Sequence, residues 1–519
     1  VRYRPEVDGL RALAVLPVVF FHAGMPGFSG GFVGVDVFFV ISGYLITTIL
    51  LREIEAGDFS IARFYERRAR RIVPALVCVM VVVALAGCAL LVPDQLQTLG
   101  SSMLAVTLFA SNFFFWQTTD YFKPAAELQP LLHTWSLAVE EQFYILYPFV
   151  LLLCWRHCRQ HLKLVLALLL VSSLVLAEVG WRTKPIANFY LLLPRAWELL
   201  AGALVALVPH ETWLRRLGRR SAGAAATLGV GLILAAVVLF DKGWPAPSLY
   251  TTLPVAGAVL VIVGTVHVNP VARILALRPL VFIGLISYSA YLWHQPLFSF
   301  YRILHFSDEG HAVPWYLVLA VFLLAALTWR FVERPFRASS PVRFSAARIG
   351  ALTSASLVSL GCLGLWMHLG QGWTSRVAAS YKPAAWDSYQ AANYGLDPAC
   401  EYTTGFAPQA ACTSGAQPQV LLWGDSYAMH LAQGLKASGL AFTQATKSNC
   451  GPSIGVAPLP ERGAYFQSWA AECLGFNDSV LDHLRHAPQV RYVLLASAFD
   501  QYLMGKHYSA QQGGYTPTK

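Results

Sequence analysis

Charge is scarce in this chain. Asp, Glu, Lys and Arg make up 13% of its 519 residues, whereas a soluble globular domain carries about a quarter. No Gly-rich phosphate loop and no dinucleotide fingerprint is present, so neither ATP nor NAD has a legible site. The His and Cys residues fall in no metal-ligand spacing, so no metal is expected. No internal repeat of the kind that marks many transporters is found. Long apolar runs are missing too, but only beyond Gly370, where Pro, Gly, Ser and polar residues take over.

Before Gly370 the apolar runs dominate. The chain is 56% hydrophobic, with a mean hydropathy of +0.51. Runs of about 20 residues suffice to cross the hydrocarbon of a bilayer. They recur near 10–24, 33–51, 73–92, 134–154, 164–180, 190–208, 223–240, 249–266, 282–301, 314–333 and 350–369. The expected fold class is a polytopic all-α membrane domain of about 10 spans plus one linking span, followed by an α/β soluble domain. The formal charge of +10 is read through the positive-inside rule. With the N-terminus inside, the inner loops hold 19 Lys and Arg, the densest group being Arg63, Arg67, Arg68, Arg70 and Arg71. Arg215, Arg216 and Arg343 belong to the same inner set. The outer loops hold five: Lys123, Arg182, Lys184, Lys242 and Arg302. Counting 101–116 as a span would reverse this bias, so that segment is expected to be a buried or re-entrant piece on the outer side. Everything after Leu369 then lies outside the cytoplasm. The absence of Met at position 1 and the Gly/Thr/Pro-rich end point to a chain trimmed at one or both ends.

Cysteine usage fits an exported tail. Cys400, Cys412, Cys450 and Cys473 lie beyond the spans, where pairing is the ordinary state. Four cysteines allow three connectivities, and proximity in sequence favours Cys400–Cys412 and Cys450–Cys473.

An ionisable group within a span is costly unless it is paired or faces water, so each is a candidate functional residue. Arg11 and His22 lie eleven positions apart in the first span, on one face and roughly 16 Å apart along the axis. An Arg at the inner mouth can hold a phosphate or carboxylate, and a His deeper in can take a hydroxyl proton. The plainer reading is a positive-inside anchor and a packing residue. Asp36, Glu140, Glu141, His294 and Glu333 add polar groups that require a shared interior cavity. Arg195 and Glu198, three apart, can pair as a structural ion pair or serve a substrate site. The 63–71 cluster reads either as a cytoplasmic anchor or as a dock for donor phosphates.

These residues carry a resemblance. Arg4-Pro-Glu-Val-Asp-Gly-Leu-Arg11, with its Arg-x10-His spacing to His22, resembles the opening of acyltransferase-3 membrane proteins. So do Gly34-Val-Asp-Val-Phe-Phe-Val-Ile-Ser-Gly-Tyr-Leu45, Phe64-Tyr-Glu-Arg-Arg-Ala-Arg-Arg71, Trp135-Ser-Leu-Ala-Val-Glu-Glu-Gln-Phe-Tyr144, Arg195-Ala-Trp-Glu-Leu199 and Tyr288-Ser-Ala-Tyr-Leu-Trp-His294. The resemblance implies acyl-CoA, with acetyl-CoA the expected donor, at Arg11, Arg67, Arg68, Arg70 and Arg71. It also implies a sugar acceptor outside and essential roles for Arg11 and His22. Residues 1–340 would form the acyltransferase domain, 341–375 a linking helix and 376–519 the extracytoplasmic domain.

In the tail, Pro418-Gln-Val-Leu-Leu-Trp-Gly-Asp-Ser426 reads as a strand, a tight turn and the start of an amphipathic helix. A serine there is exposed, and the helix N-terminus favours a developing anion. Arg491-Tyr-Val-Leu-Leu-Ala-Ser-Ala-Phe-Asp500 gives a further strand, and the alternation with helices suggests a parallel sheet. This tail resembles the SGNH hydrolase domain fused to many acyltransferase-3 proteins, including O-antigen acetylases, with a flavodoxin-like sheet. That resemblance makes Ser426 the nucleophile, Asp425 a turn-shaping residue and Ser448-Asn-Cys-Gly-Pro452 a second block near the oxyanion region. Two features depart from the family pattern. The Asn of the third block is not evident, and no late Asp-x-x-His completes the triad. His430 is poorly placed as a base and His507 is unsupported, so the expectation is a chain that stops short of its catalytic His.

The function expected is transfer of an acetyl group from cytoplasmic acyl-CoA to a cell-envelope glycan such as lipopolysaccharide O-antigen. The alternatives are acylation of peptidoglycan or an exopolysaccharide, or a transporter. No nucleic-acid partner is expected. The protein would reside in a bacterial inner membrane with its C-terminal domain in the periplasm.

Overall fold

Pro5 begins the first helix, where its missing N–H costs nothing, and Glu6 and Asp8 sit in the first turn, complementing the helix dipole. The computed structural model describes residues 3–119, 121, 124–208, 218–305, 312–337, 345–376, 393–403, 405–458, 467–499, 508–510 and 515–516. Lys123, Arg215, Arg216, Arg343, Asp500 and His507, named above, lie outside them. The chain divides into two compact units, Val1–Ala379 and Ser380–Lys519.

The first unit is helical. In chain order its helices are α1 (Pro5–His22), α2 (Gly34–Glu55), α3 (Ile61–Leu90), α4 (Pro93–Thr107), α5 (Ser111–Thr118) and α6 (Pro124–Glu127). They continue with α7 (Thr134–His157), α8 (Leu162–Thr183), α9 (Pro185–Tyr190), α10 (Ala196–Ala206), α11 (Arg219–Leu239) and α12 (Thr252–Gly264). The last are α13 (Pro270–Leu275), α14 (Arg278–Leu304), α15 (Trp315–Thr328), α16 (Arg334–Arg337) and α17 (Ala346–Leu369). Among the described residues seven helices are long and apolar enough to cross a membrane by length and composition. On α8, Leu164, Leu168, Val171, Val175 and Val179 are all exposed. Their spacing of three and four puts them on one stripe, which water would penalise and hydrocarbon does not. The chain is therefore a multi-pass membrane protein.

Two expected segments take a different form. The 190–208 run is not one helix: α9 ends at Tyr190 and α10 begins at Ala196. Pro194 drives the break, because it has no N–H and pushes its predecessor toward extended backbone. The break sets Arg195 at the N-cap of α10. The 101–116 segment is also broken, into α4 and α5, at Phe109, whose φ is +51°. Gln142 Nε2 on α7 donates to the freed Phe109 carbonyl at 3.0 Å.

Close helix packing places the polar residues. α2 crosses α10 so tightly that a Cβ at Gly43 would lie 1.8 Å from the Leu199 carbonyl oxygen. A Cβ at Gly202 would lie 1.9 Å from that of Val40. α1 packs along α14, which brings the two helices bearing His22 and His294 together.

The second unit is a small mixed α/β domain. Its main sheet has the order β1 (Thr413–Ser414), β3 (Phe442–Thr446), β2 (Val420–Gly424), β5 (Tyr492–Ala496). β3, β2 and β5 are parallel and β1 is an antiparallel edge. Helix α18 (Ser426–Ala437) follows β2, and α19 (Gln467–His486) precedes β5. A second, antiparallel sheet joins β4 (Val456–Pro458), β6 (Tyr508–Ala510) and β7 (Tyr515–Thr516). Cys400 is bonded to Cys412, and Cys450 to Cys473.

Candidate functional site

Ser60 caps α3 by accepting from the Arg63 backbone N–H, and helical periodicity then sorts the basic cluster. Arg67 turns to Glu53 at 2.7 Å and Arg70 to Glu66 at 2.7 Å. Arg63 donates to Asp58 at 2.8 Å and holds that loop carboxylate below its usual range. Arg68 and Arg71, three apart on the next face, instead line a cavity with Arg11. Of the five residues assigned to the donor, Arg11, Arg68 and Arg71 therefore converge on the cavity, while Arg67 and Arg70 turn to Glu53 and Glu66. Arg11 is itself held by Asp8 at 3.0 Å. The cavity encloses about 90 Å³, room for more than one water. Among the described residues, the basic side of the cavity wall is thus built by α1 and α3.

Further in, the wall changes from cationic to hydroxylic. Ser42, Ser136, Glu140, Tyr144, Ser287 and Tyr291 contribute to it. The hydroxyls of Ser42 and Tyr144 both donate to Glu140 Oε1. Tyr288 ties α14 to α3 by donating to the Ile72 carbonyl at 2.9 Å. Tyr291 marks the inner end: its hydroxyl donates to the His133 carbonyl at 3.0 Å and lies 2.6 Å from Ser136 Oγ.

Beyond Tyr291 three imidazoles gather, those of His133 and His294 buried and that of His22 partly so. The His22 and His294 rings are 4.9 Å apart between centroids, and those of His133 and His294 5.4 Å. His22 Nδ1 lies 2.8 Å from the Val18 carbonyl, which can only accept. Nδ1 therefore carries the hydrogen, and in the neutral ring Nε2 is the acceptor facing the Tyr121 hydroxyl at 3.0 Å. Arg302 donates to the His22 carbonyl at 2.6 Å and pairs with Glu127 at 3.2 Å. Among the described residues, no group of three or more His, Cys, Asp or Glu is arranged to hold a metal ion.

Asp36, Arg195 and Glu198 do not line the cavity. Arg195 Nη1 binds Asp36 Oδ1 at 2.7 Å and Glu198 Oε1 at 3.2 Å, while its Nε donates to the Phe189 carbonyl at 3.0 Å. Its guanidinium also lies over the rings of Trp135 and Phe189. Glu333 accepts from Ser289 elsewhere on α14. Of the candidate cavity residues, Glu140 stands in the wall and His294 just beyond Tyr291. His133, Tyr121, Ser42 and Ser136 were not singled out from the sequence. His133 directly precedes Thr134-Trp135, and a polar residue abutting that stretch was the available signal.

In the second unit the parallel register brings three sequence blocks to one edge. Gly424 is opposite both Thr446 and Ala496, so the segments after β2, β3 and β5 leave the sheet side by side. The chain passes from β2 to β3 on one side, then to β5 on the other. Ser426 thus sits where the strand order reverses, the place where open α/β sheets bind ligands. Asp425 is the N-cap: its Oδ1 accepts from the Tyr427 N–H at 2.9 Å and its Oδ2 from Ser497 Oγ at 2.6 Å. His430 Nδ1 lies 2.6 Å from the Ser426 carbonyl, so that contact involves the backbone and not the hydroxyl. Asn449, with φ +55°, turns the second block. That block is clamped by Asn477 donating to the Gly451 and Ser453 carbonyls at 3.0 and 3.1 Å. Lys447 is buried with its ammonium on the Thr403 carbonyl and on Glu472 at 3.3 Å.

Residues 4–333 match the family described as an acyltransferase domain, and residues 399–519 an SGNH domain of the kind fused to such domains. A peptidoglycan O-acetyltransferase of Listeria monocytogenes is 33% identical over 358 residues, 66% of this chain and 57% of the relative. An O-acetyltransferase of Staphylococcus aureus is 30% identical over 354 residues, covering 65% and 57%. A protein named as a membrane-bound transacylase of Komagataeibacter xylinus is 33% identical over 368 residues, covering 70% and 89%. The chain thus spans little more than half the length of the first two relatives. No solved structure matches it. With the first match running through every motif that supplies the cavity, the chain belongs to the acyltransferase-3 family of membrane proteins, with an SGNH domain fused after it.

Proposed function

We propose that this protein moves an acetyl group from acetyl-CoA in the cytoplasm to a hydroxyl of a cell-envelope polymer outside. The observation that carries this is the polarity of α1. One end presents Arg11 beside Arg68 and Arg71 in a cavity, and the other presents the lone pair of His22 Nε2 among buried rings. Three guanidiniums suit the phosphates of a coenzyme A donor, and an imidazole suits removal of a hydroxyl proton. The charge bias of the loops supports a cytoplasmic guanidinium end and a periplasmic SGNH domain. Residues 1–340 act as the transferase, 341–375 as a link and 376–519 as the periplasmic domain.

The acceptor class rests on the relatives. One is named for peptidoglycan and none of those above for lipopolysaccharide, so peptidoglycan is favoured over O-antigen. Ser426 would take the acetyl group as an ester and release it to the final sugar. The nearer variant is direct transfer by the membrane domain, with the tail binding glycan or selecting the acceptor position.

Labelled acetyl-CoA enclosed with the reconstituted protein separates the readings. Label on externally added glycan supports transfer, and passage of unmodified solute in its place would replace this reading with a transporter.

A further inference from the structure

Transfer from a thioester to an alcohol leaves one proton to be moved. The alcohol oxygen forms a bond to the acetyl carbon, the C–S bond breaks, and the alcohol proton must end on the coenzyme A sulfur. On the reading above, the proton leaves the acceptor at His22, while the thiolate departs into the cationic cavity. Tyr291 and Ser136 stand at the end of that cavity, and the three imidazoles lie beyond them.

The hydrogen bonding of these rings differs in a way that packing alone does not require. His22 and His294 each have Nδ1 on a backbone carbonyl, Val18 at 2.8 Å and Tyr291 at 2.6 Å. Nε2 is therefore the exchangeable nitrogen in both. His294 Nε2 has no partner among the described residues, and neither nitrogen of His133 has one. Both residues are almost fully buried, at 0% and 3% exposure. An unmet buried polar atom is costly, so three in one place mark a function that uses them. His133 alone of the three rings can take a proton on one nitrogen and release it from the other. Centroids are separated by 4.9 Å from His22 to His294, 5.4 Å from His294 to His133 and 5.5 Å from His133 to Tyr291. At such centroid spacings, with no nitrogen of one ring hydrogen-bonded to the next, a single bridging water is what carries the proton between rings. The charged groups facing this array are Arg302 and Lys242, both paired with Glu127.

We propose that His294 and His133 form a proton relay that returns the acceptor proton from His22, past Tyr291 and Ser136, to the departing thiolate. This rests on the acetyl-transfer reading. In balance, one proton leaves the alcohol and one S–H forms, with no oxidant or metal involved.

The test uses the full chain in liposomes with acetyl-CoA and glycan, comparing the parent with His133→Ala, His294→Ala and the hydrogen-bonding variant His294→Asn. Each alanine variant should turn over about tenfold or more slowly, with an unchanged KM for acetyl-CoA, and added imidazole should restore much of the rate. Turnover within about twofold of the parent in His133→Ala or His294→Ala would overturn the relay. So would a loss that imidazole does not relieve while His294→Asn remains fully active. If the parent itself moves no acetyl group, the underlying reading fails; if only His22→Asn is inactive, the relay alone does.

Discussion

The carboxylate of Asp36 and the guanidinium of Arg195 meet at 2.7 Å with each side chain only 2% exposed. Glu198 closes the same guanidinium from its own helix. Two carboxyl groups on one guanidinium, with two aromatic faces and a backbone carbonyl around it, leave little of Arg195 for a substrate. This triad joins α2 to α10 at the crossing that Gly43 and Gly202 make possible.

Arg195→Ala should therefore destabilise the membrane unit by about 3–5 kcal/mol, because it strands buried carboxylates. Thermal unfolding in detergent should show a lower midpoint and transfer activity lost in parallel. A variant of unchanged stability but raised acceptor KM would instead place Arg195 in the substrate site.

Arg67 and Arg68 are neighbours with different tasks. Arg68 lines the cavity and Arg67 pairs with Glu53. Arg68→Gln should raise the KM for acetyl-CoA about tenfold or more, the scale of one lost hydrogen bond to a charged group. Arg67→Gln should change it less than about twofold, since exposed ion pairs contribute about 0–1 kcal/mol. Initial rates against donor concentration decide this.

His22→Asn keeps a polar side chain but loses the Nε2 lone pair that faces Tyr121. Transfer should fall by about 10²–10⁴-fold, the usual worth of a general base, with donor binding retained. Isothermal titration with acetyl-CoA alongside turnover measurements checks both halves.

Ser426→Ala should abolish glycan acetylation if the acyl group passes through the SGNH domain. Full activity would assign the whole reaction to the membrane unit. The label on intact protein after a short incubation gives a second readout, since the parent would hold it as a serine ester.

Cys450 and Cys473 fasten the block carrying Asn449 to α19. Replacing both by Ser should cost about 2–5 kcal/mol. Amide exchange across 445–480 in the full chain should accelerate, while exchange in α1 and α14 stays as in the parent.

The sequence by itself determined the membrane character, the two-part organisation and the identity of most polar groups. Apolar runs, loop charge and the Gly-Asp-Ser turn are local signals, written in consecutive residues. It could not separate Arg68 and Arg71 from Arg67 and Arg70, because their roles depend on which helix each face meets. Nor could it say whether Arg195 pairs with Glu198 alone, since Asp36 comes from another helix across a glycine contact. The three imidazoles show the same limit most clearly. His22, His133 and His294 are remote along the chain, and only the packing of α1 against α14, with the turn before α7 beside them, brings their rings within about 5 Å.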